Sequence, residues 1–278
     1  FGNTLTLDFA KAAVNGYNLG MGKSTDFLTI NCASTDYVGH KYGPNSIEVE
    51  DTYLRLDKDF TTFFQFLDQK IGKGNYLVFL TADHGAAHAI GFMQEHHIPA
   101  DFVESKKIDK SLDRFLAQQF NVENLIASSI NYHFSFDLKK ITENKLDYEA
   151  VKKAAVSFLQ KQPGIQFAVD IDHIGNASVP EPIKAKIING YNTKRCGPVM
   201  IIPDPGWFEG KAGSTGTTHG NWNPYDTHIP LVFMGWGIKH GATNRNVRMS
   251  DISPTLAALL HIQMPNGNVG EVIQEVQR

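Results

Sequence analysis

Three short clusters bring metal-type ligands together along the chain: Ser34-Thr-Asp36-Tyr-Val-Gly-His40, Thr81-Ala-Asp83-His84-Gly85 and Thr217-Thr-His219-Gly220. A carboxylate oxygen and an imidazole nitrogen are both good donors to zinc or manganese. Asp36 and His40 stand four positions apart, so on a helical turn their side chains point the same way. Taken alone, such a pair is common and reads more readily as a solvated surface. Asp83 and His84 are adjacent, and Gly85 lets the backbone come close to a cation; the plain alternative is an N-cap aspartate beside a surface histidine. His219 sits in a Gly-rich loop, where one histidine proves nothing by itself. Placed with the other two clusters, it supplies a missing nitrogen ligand.

Short apolar runs must position these clusters. Phe27–Ala33 reads as a buried strand directly before the first cluster, and Tyr76–Thr81 as another directly before the second. Between them, Tyr53, Leu56, Phe60, Phe63, Phe64, Leu67 and Ile71 advance by three and four, which predicts one long amphipathic helix from Ile47 to Ile71. Strand, helix and strand, with both strands apolar throughout, predict parallel β-structure covered on both faces. Ligands of such sheets gather outside the C-terminal ends of the strands, where all three clusters would then lie. An opening helix is expected over Leu5–Tyr17, with Leu5, Phe9, Ala12, Ala13 and Tyr17 on its apolar stripe. Ile229–Met234 is a further strand, and Ser253-Pro254 opens a closing helix through Leu260.

Residues 99–199 read differently. A polar helix at Ser111–Phe120 leads to the run Asn131-Tyr-His-Phe-Ser-Phe-Asp-Leu, followed by a helix at Tyr148–Gln160 and a strand-like Gln166–Ile171. The expected organisation is a three-layer α/β/α core with a mostly parallel sheet from residues 1–98 and 200–278. Residues 99–199 would form a small α+β insertion that caps the sheet edge.

The chain has 278 residues, 42% hydrophobic and 20% charged, with a net charge of −3 and no run of like charges. That balance is globular and gives no basic patch for nucleic acid. No apolar stretch reaches the length of a membrane span. The two cysteines, Cys32 and Cys196, make neither a disulfide framework nor a zinc knuckle. Gly22-Lys-Ser24 has the tail of a phosphate-binding loop, but Tyr17 stands where its first glycine belongs.

Taken in order, Asp-x-x-x-His, Thr-Ala-Asp-His-Gly and Thr-His-Gly resemble the alkaline phosphatase superfamily. Within it, the chain is most similar to the large monomeric bacterial alkaline phosphatases related to nucleotide pyrophosphatase/phosphodiesterases. The runs Ser34–Asp59, Leu77–His88, Asn221–Gly235 and Asp251–Leu260 all carry the likeness, which extends over nearly the whole chain. It implies that Asp36, His40 and His219 hold one Zn²⁺, and that Asp83 and His84 supply part of a second. It further implies a phosphate ester substrate, monoester hydrolysis first and phosphodiester or pyrophosphate hydrolysis as the alternative. Sulfatases and phosphomutases are more remote. Export to the periplasm or beyond is implied as well. His88 and His228 are expected to orient ligands without binding metal themselves.

Family members also begin with a strand ending in a metal-binding Asp, followed by a Thr or Ser nucleophile at a helix N-terminus. Nothing before Asp36 has that form: Asp8 lies inside a helical pattern, and Thr4 and Thr6 follow no strand. The expectation is therefore a C-terminal piece of a longer enzyme, inactive alone, with at most one firmly held zinc ion. An unpaired sheet edge in such a piece predicts compensation such as dimer formation. A separate, non-catalytic metal-binding domain is the reading from another class.

Overall fold

The computed structural model describes residues 1–276, and the chain falls into two compact units. The first comprises Phe1–Thr35, Asp51–Asp83 and the residues from Ile229 onward; the second comprises Asp36–Glu50 and His84–His228.

In the first unit, the helix Gly2–Gly16 buries Leu7, Ala10 and Val14 against Leu56, Phe63 and Leu67. Those last three lie on the helix Ile47–Lys70, which spans nearly the range its spacing predicts. The opening helix turns a different stripe inward from the one expected: Leu5, Phe9 and Tyr17 are exposed. Two apolar series, Leu5/Phe9 and Leu7/Ala10/Val14, both fit a helical repeat, so periodicity fixes the helix but not its facing side.

Strand Leu77–Thr81 pairs antiparallel with Leu231–Gly235, with Phe79 opposite Phe233 and Thr81 opposite Leu231. The parallel pairing expected of the Phe27 and Tyr76 runs is corrected on two counts. Phe27–Ala33 carries no strand assignment, and Phe27 is exposed although its ring lies 6.1 Å from that of Phe79. The Leu77 strand has an antiparallel neighbour instead. Continuous apolarity reports cover on both faces; it carries no information on the direction of the neighbouring chain.

The closing helix, Ile252–Leu260, is anchored through Asp251, which accepts the backbone N–H groups of Arg248 at 2.8 Å and Glu271 at 2.9 Å.

The second unit holds a four-stranded antiparallel sheet in the order Ile126–Ile130, His133–Phe136, Val199–Pro203, Ile165–Asp170. The first two strands form a hairpin whose turn residues, Asn131 and Tyr132, take φ of 51° and 66°. Two successive positive values fit the turn that matches strand twist in a two-residue hairpin. Phe134 and Phe136 alternate inward, as the run around them predicts.

All of Val199–Pro203 is buried. Val199 and Ile201 join a core with Leu112, Leu116, Val151 and Leu159 from the helices Ser105–Phe120 and Tyr148–Leu159. Met200 and Ile202 point the other way, into a second core with Val169, Ile171 and Ile187. Each fully buried Leu, Ile or Val contributes ~1.5–3 kcal/mol, so this two-sided strand is central to the unit. A short parallel pair, Asp101–Val103 with Trp207–Glu209, completes the strands described.

One charged side chain is embedded here. Lys152 is 1% exposed, and its ammonium reaches Glu149 at 3.0 Å, Asp170 at 3.1 Å and Asp172 at 2.9 Å. Burial works to lower its pKa, but the three carboxylates outweigh it and hold the value above the ordinary lysine range. Glu149 and Asp170, together with His173, also converge as metal-type donors. Lys152 already balances those carboxylates, so the group reads as an internal ion network.

Candidate metal centre

Asp36 and His40 lie on the helix Ser34–Tyr42, one turn apart, with Asp36 Oδ2 3.3 Å from His40 Nε2. His219 comes from the loop after Gly216, and its ring centroid is 5.1 Å from that of His40. One donor atom from each of Asp36, His40 and His219 falls within 4.8 Å of the others. The structure therefore brings together the three residues expected to share an ion.

Two backbone links hold helix and loop in register. Thr217 donates its N–H to the His40 carbonyl at 2.9 Å, and the Thr217 carbonyl in turn faces His40 Nδ1 at 2.9 Å. The Thr217 hydroxyl donates to the Ala87 carbonyl at 2.7 Å, tying the same loop to the stretch after His84. Gly216 permits this approach. Its φ is +85°, and a Cβ there would overlap the His40 carbonyl oxygen. Gly216→Ala is expected to lower stability by ~1–3 kcal/mol, the usual range for a forced left-handed residue. A urea midpoint with a parallel zinc titration checks it, and an unchanged pair of values would remove the glycine from the argument.

Hydrogen bonding selects the histidine tautomers. A backbone carbonyl only accepts, so His40 Nδ1 carries the proton and a neutral ring presents a lone pair at Nε2. Asp36 Oδ2 lies 3.3 Å from that Nε2. His84 repeats the arrangement: Nδ1 meets the Gly85 carbonyl at 2.8 Å, and Nε2 stands 3.9 Å from Asp36 Oδ1. The His84 ring stacks on His219, with centroids 3.3 Å apart and planes 11° from parallel. Two nitrogens and an oxygen on this spacing fit a zinc-type ion with an open coordination position.

Asp83 follows the strand Leu77–Thr81 at the end of the first unit, and His84 begins the next segment of the second. His88 Nδ1 lies 2.6 Å from Asn45 Oδ1, and its ring packs beside Phe92. His228 is exposed and ends the short helix Pro224–Thr227.

The sequence reading did not single out Asp226, which is 4% exposed. Its Oδ2 accepts the Asn221 N–H at 2.7 Å, and its backbone carbonyl accepts the Gly85 N–H at 2.8 Å. Burial pushes its carboxyl pKa up, opposed by bonds from the Asn221 and Gly220 backbone and by the nearby His84. The only available signal was an aspartate seven positions past His219, which has no recognisable pattern.

The family model described as type I phosphodiesterase / nucleotide pyrophosphatase matches residues 1–226. The chain is 53% identical over 277 residues to alkaline phosphatase PafA of Elizabethkingia meningoseptica, covering 99% of this chain and 50% of that protein. It is 51% identical over 275 residues to alkaline phosphatase PhoV of Synechococcus elongatus, covering 99% and 49% respectively. The crystal structure of wild-type PafA superposes with a TM-score of 0.95 at 52% identity, over 100% of this chain and 53% of that one. The α/β fold is thus that of an alkaline-phosphatase-like protein, and the chain spans about half the length of the curated relatives it matches.

Proposed function

The chain belongs to the type I phosphodiesterase / nucleotide pyrophosphatase family, and we propose that the whole protein is a zinc-dependent phosphate monoesterase. Asp36, His40 and His219 hold one zinc ion in this reading. His84, with Asp83 beside it in the sequence, contributes to a second. The observation that carries it is the convergence of one donor atom each from Asp36, His40 and His219 within 4.8 Å, with Asp36 Oδ2 3.3 Å from His40 Nε2. The names of the relatives above support phosphate ester chemistry, and the donor set supports zinc.

When bound, zinc would polarise a phosphoryl oxygen and lower the pKa of an oxygen it coordinates. The protein's own residues prepare the place. The Thr217 carbonyl fixes which nitrogen of His40 is protonated, and the Gly85 carbonyl does the same for His84. Such outer partners keep the donor lone pairs aimed before any ion arrives. Asp36 supplies the negative charge that two neutral imidazoles lack.

Phosphodiester hydrolysis is the second reading, favoured by the description of the family itself. Assaying the whole protein on p-nitrophenyl phosphate and on bis(p-nitrophenyl) phosphate, which share a leaving group, separates the two. Faster monoester turnover supports the first reading and the reverse order the second. Zinc binding without turnover of either would favour the non-catalytic domain. Export is part of the same proposal; among the described residues, no helix is long and apolar enough to cross a membrane.

A further inference from the structure

We infer that Asp226 is a positioning residue that holds the His84 and His219 segments at a fixed separation, so that both rings meet a metal ion in register. This rests on the reading of those histidines as ligands.

Asp226 joins the two segments through different atoms. Its backbone carbonyl takes the N–H of Gly85, the residue after His84, at 2.8 Å. Its carboxylate takes the N–H of Asn221, two residues after His219, at 2.7 Å. The approach to the first segment is so close that a Cβ on Gly85 would overlap the Tyr225 carbonyl oxygen. Gly220, between His219 and Asn221, has φ of +108°, a left-handed turn that suits glycine. The two rings thus clamped are the pair stacked 3.3 Å apart.

A purely structural anchor would not need an aspartate. A backbone N–H group can be satisfied by a neutral acceptor, whereas a carboxylate 4% exposed carries a desolvation cost. The remaining oxygen, Oδ1, is buried with no hydrogen-bond partner among the described residues. Among those residues, no lysine or arginine forms an ion pair with Asp226 that would justify the charge. A bond from a backbone N–H to a carboxylate stiffens the loop more than one to a neutral acceptor.

The test is zinc affinity, measured on the whole protein by competition with a chromophoric chelator, for the wild type, Asp226→Asn, Asp226→Glu and His219→Ala. The cobalt-substituted visible spectrum and the apo melting temperature are recorded alongside. Asp226→Asn is expected to weaken zinc binding ~10–100-fold, the range for loss of an outer partner, and to alter the cobalt spectrum. Wild-type affinity and spectrum in a folded Asp226→Asn would overturn the inference and leave Asp226 a structural anchor. If Asp226→Asn does not fold, Asp226→Glu decides: it keeps the charge but moves the carboxylate by one methylene. A weakened, spectrally altered zinc site in that variant supports positioning, and an unchanged one overturns it. His219→Ala separates the two levels. Unchanged affinity there defeats the ligand reading itself, whereas loss there with Asp226→Asn unaffected defeats only this inference.

Discussion

Replacing Asp36 by Asn or His219 by Ala is expected to empty the Asp36–His40–His219 group of zinc and to slow monoester hydrolysis by the whole protein ~10³-fold or more. The figure follows from withdrawing several kcal/mol of charge stabilisation, at one factor of ten per ~1.4 kcal/mol. Asp36→Asn is the sharper variant because it keeps shape and removes charge. It also replaces an acceptor by an amide that can donate to the His40 lone pair 3.3 Å away, so folding should survive while metal binding does not. Zinc content by elemental analysis, with turnover measured on the same sample, checks both halves. Full zinc occupancy at wild-type turnover in both variants would sink the proposed ligand set.

The second large effect is expected far from that chemistry. Lys152→Met should destabilise the folded protein by ~3 kcal/mol, the lower end for breaking a buried ion pair. The lower end applies because Glu149 and Asp172 keep 58% and 39% of their side-chain surface in water, although Lys152 keeps only 1%. Met fills much of the same volume, so the loss reports charge balance rather than a cavity. Its pH dependence has a defined sign. The lysine hydrogen bond holds Asp172 below its ordinary 3.8 despite burial pulling the other way. That contribution is present above pH 3.8 and is lost as pH falls through the depressed folded value. The lysine, raised above 10.5, keeps its contribution through neutral pH and loses it only as pH rises past its folded value. Denaturant midpoints of wild type and variant should therefore differ at neutral pH and converge in acid. A gap that stays constant from pH 7 down into acid where the Asp172 carboxyl is protonated in the folded protein, well below 3.8, would remove the electrostatic account.

Both predictions bear on what could be read from residues alone. The shared direction of Asp36 and His40 was legible from their four-residue spacing on a helix, but their part in a site was not, because such pairs are common on solvated surfaces. His219 was not legible from spacing. Its place depends on Thr217 bonding back to His40, a contact between residues 177 positions apart, and only the ordered likeness to a known family pointed to it. The helix Ile47–Lys70 followed from its stripe, yet the inward side of Gly2–Gly16 did not, because two stripes compete there. Phe27–Ala33 had the composition of a strand, but a strand is a relation to a neighbour, which composition does not contain. Nothing in the sequence marks Lys152; only the meeting of Asp170 and Asp172 with its helix makes it internal. Asp226 was silent for the same reason.

That 177-position separation also has a consequence for the order of assembly. Joining His40 to Thr217 from unstructured chain closes a loop whose entropy cost is ~4–5 kcal/mol on a logarithmic length law. Most of that loop is occupied by the hairpin through Asn131 and Tyr132, the two covering helices and the strand Val199–Pro203. Those pieces make their contacts over shorter spans and have their own cores to drive them. Their prior collapse shortens the effective path between His40 and Thr217, so the long closure becomes affordable only afterwards. The donors thus converge late in folding, and an ion captured by them would lock a nearly finished unit instead of nucleating one.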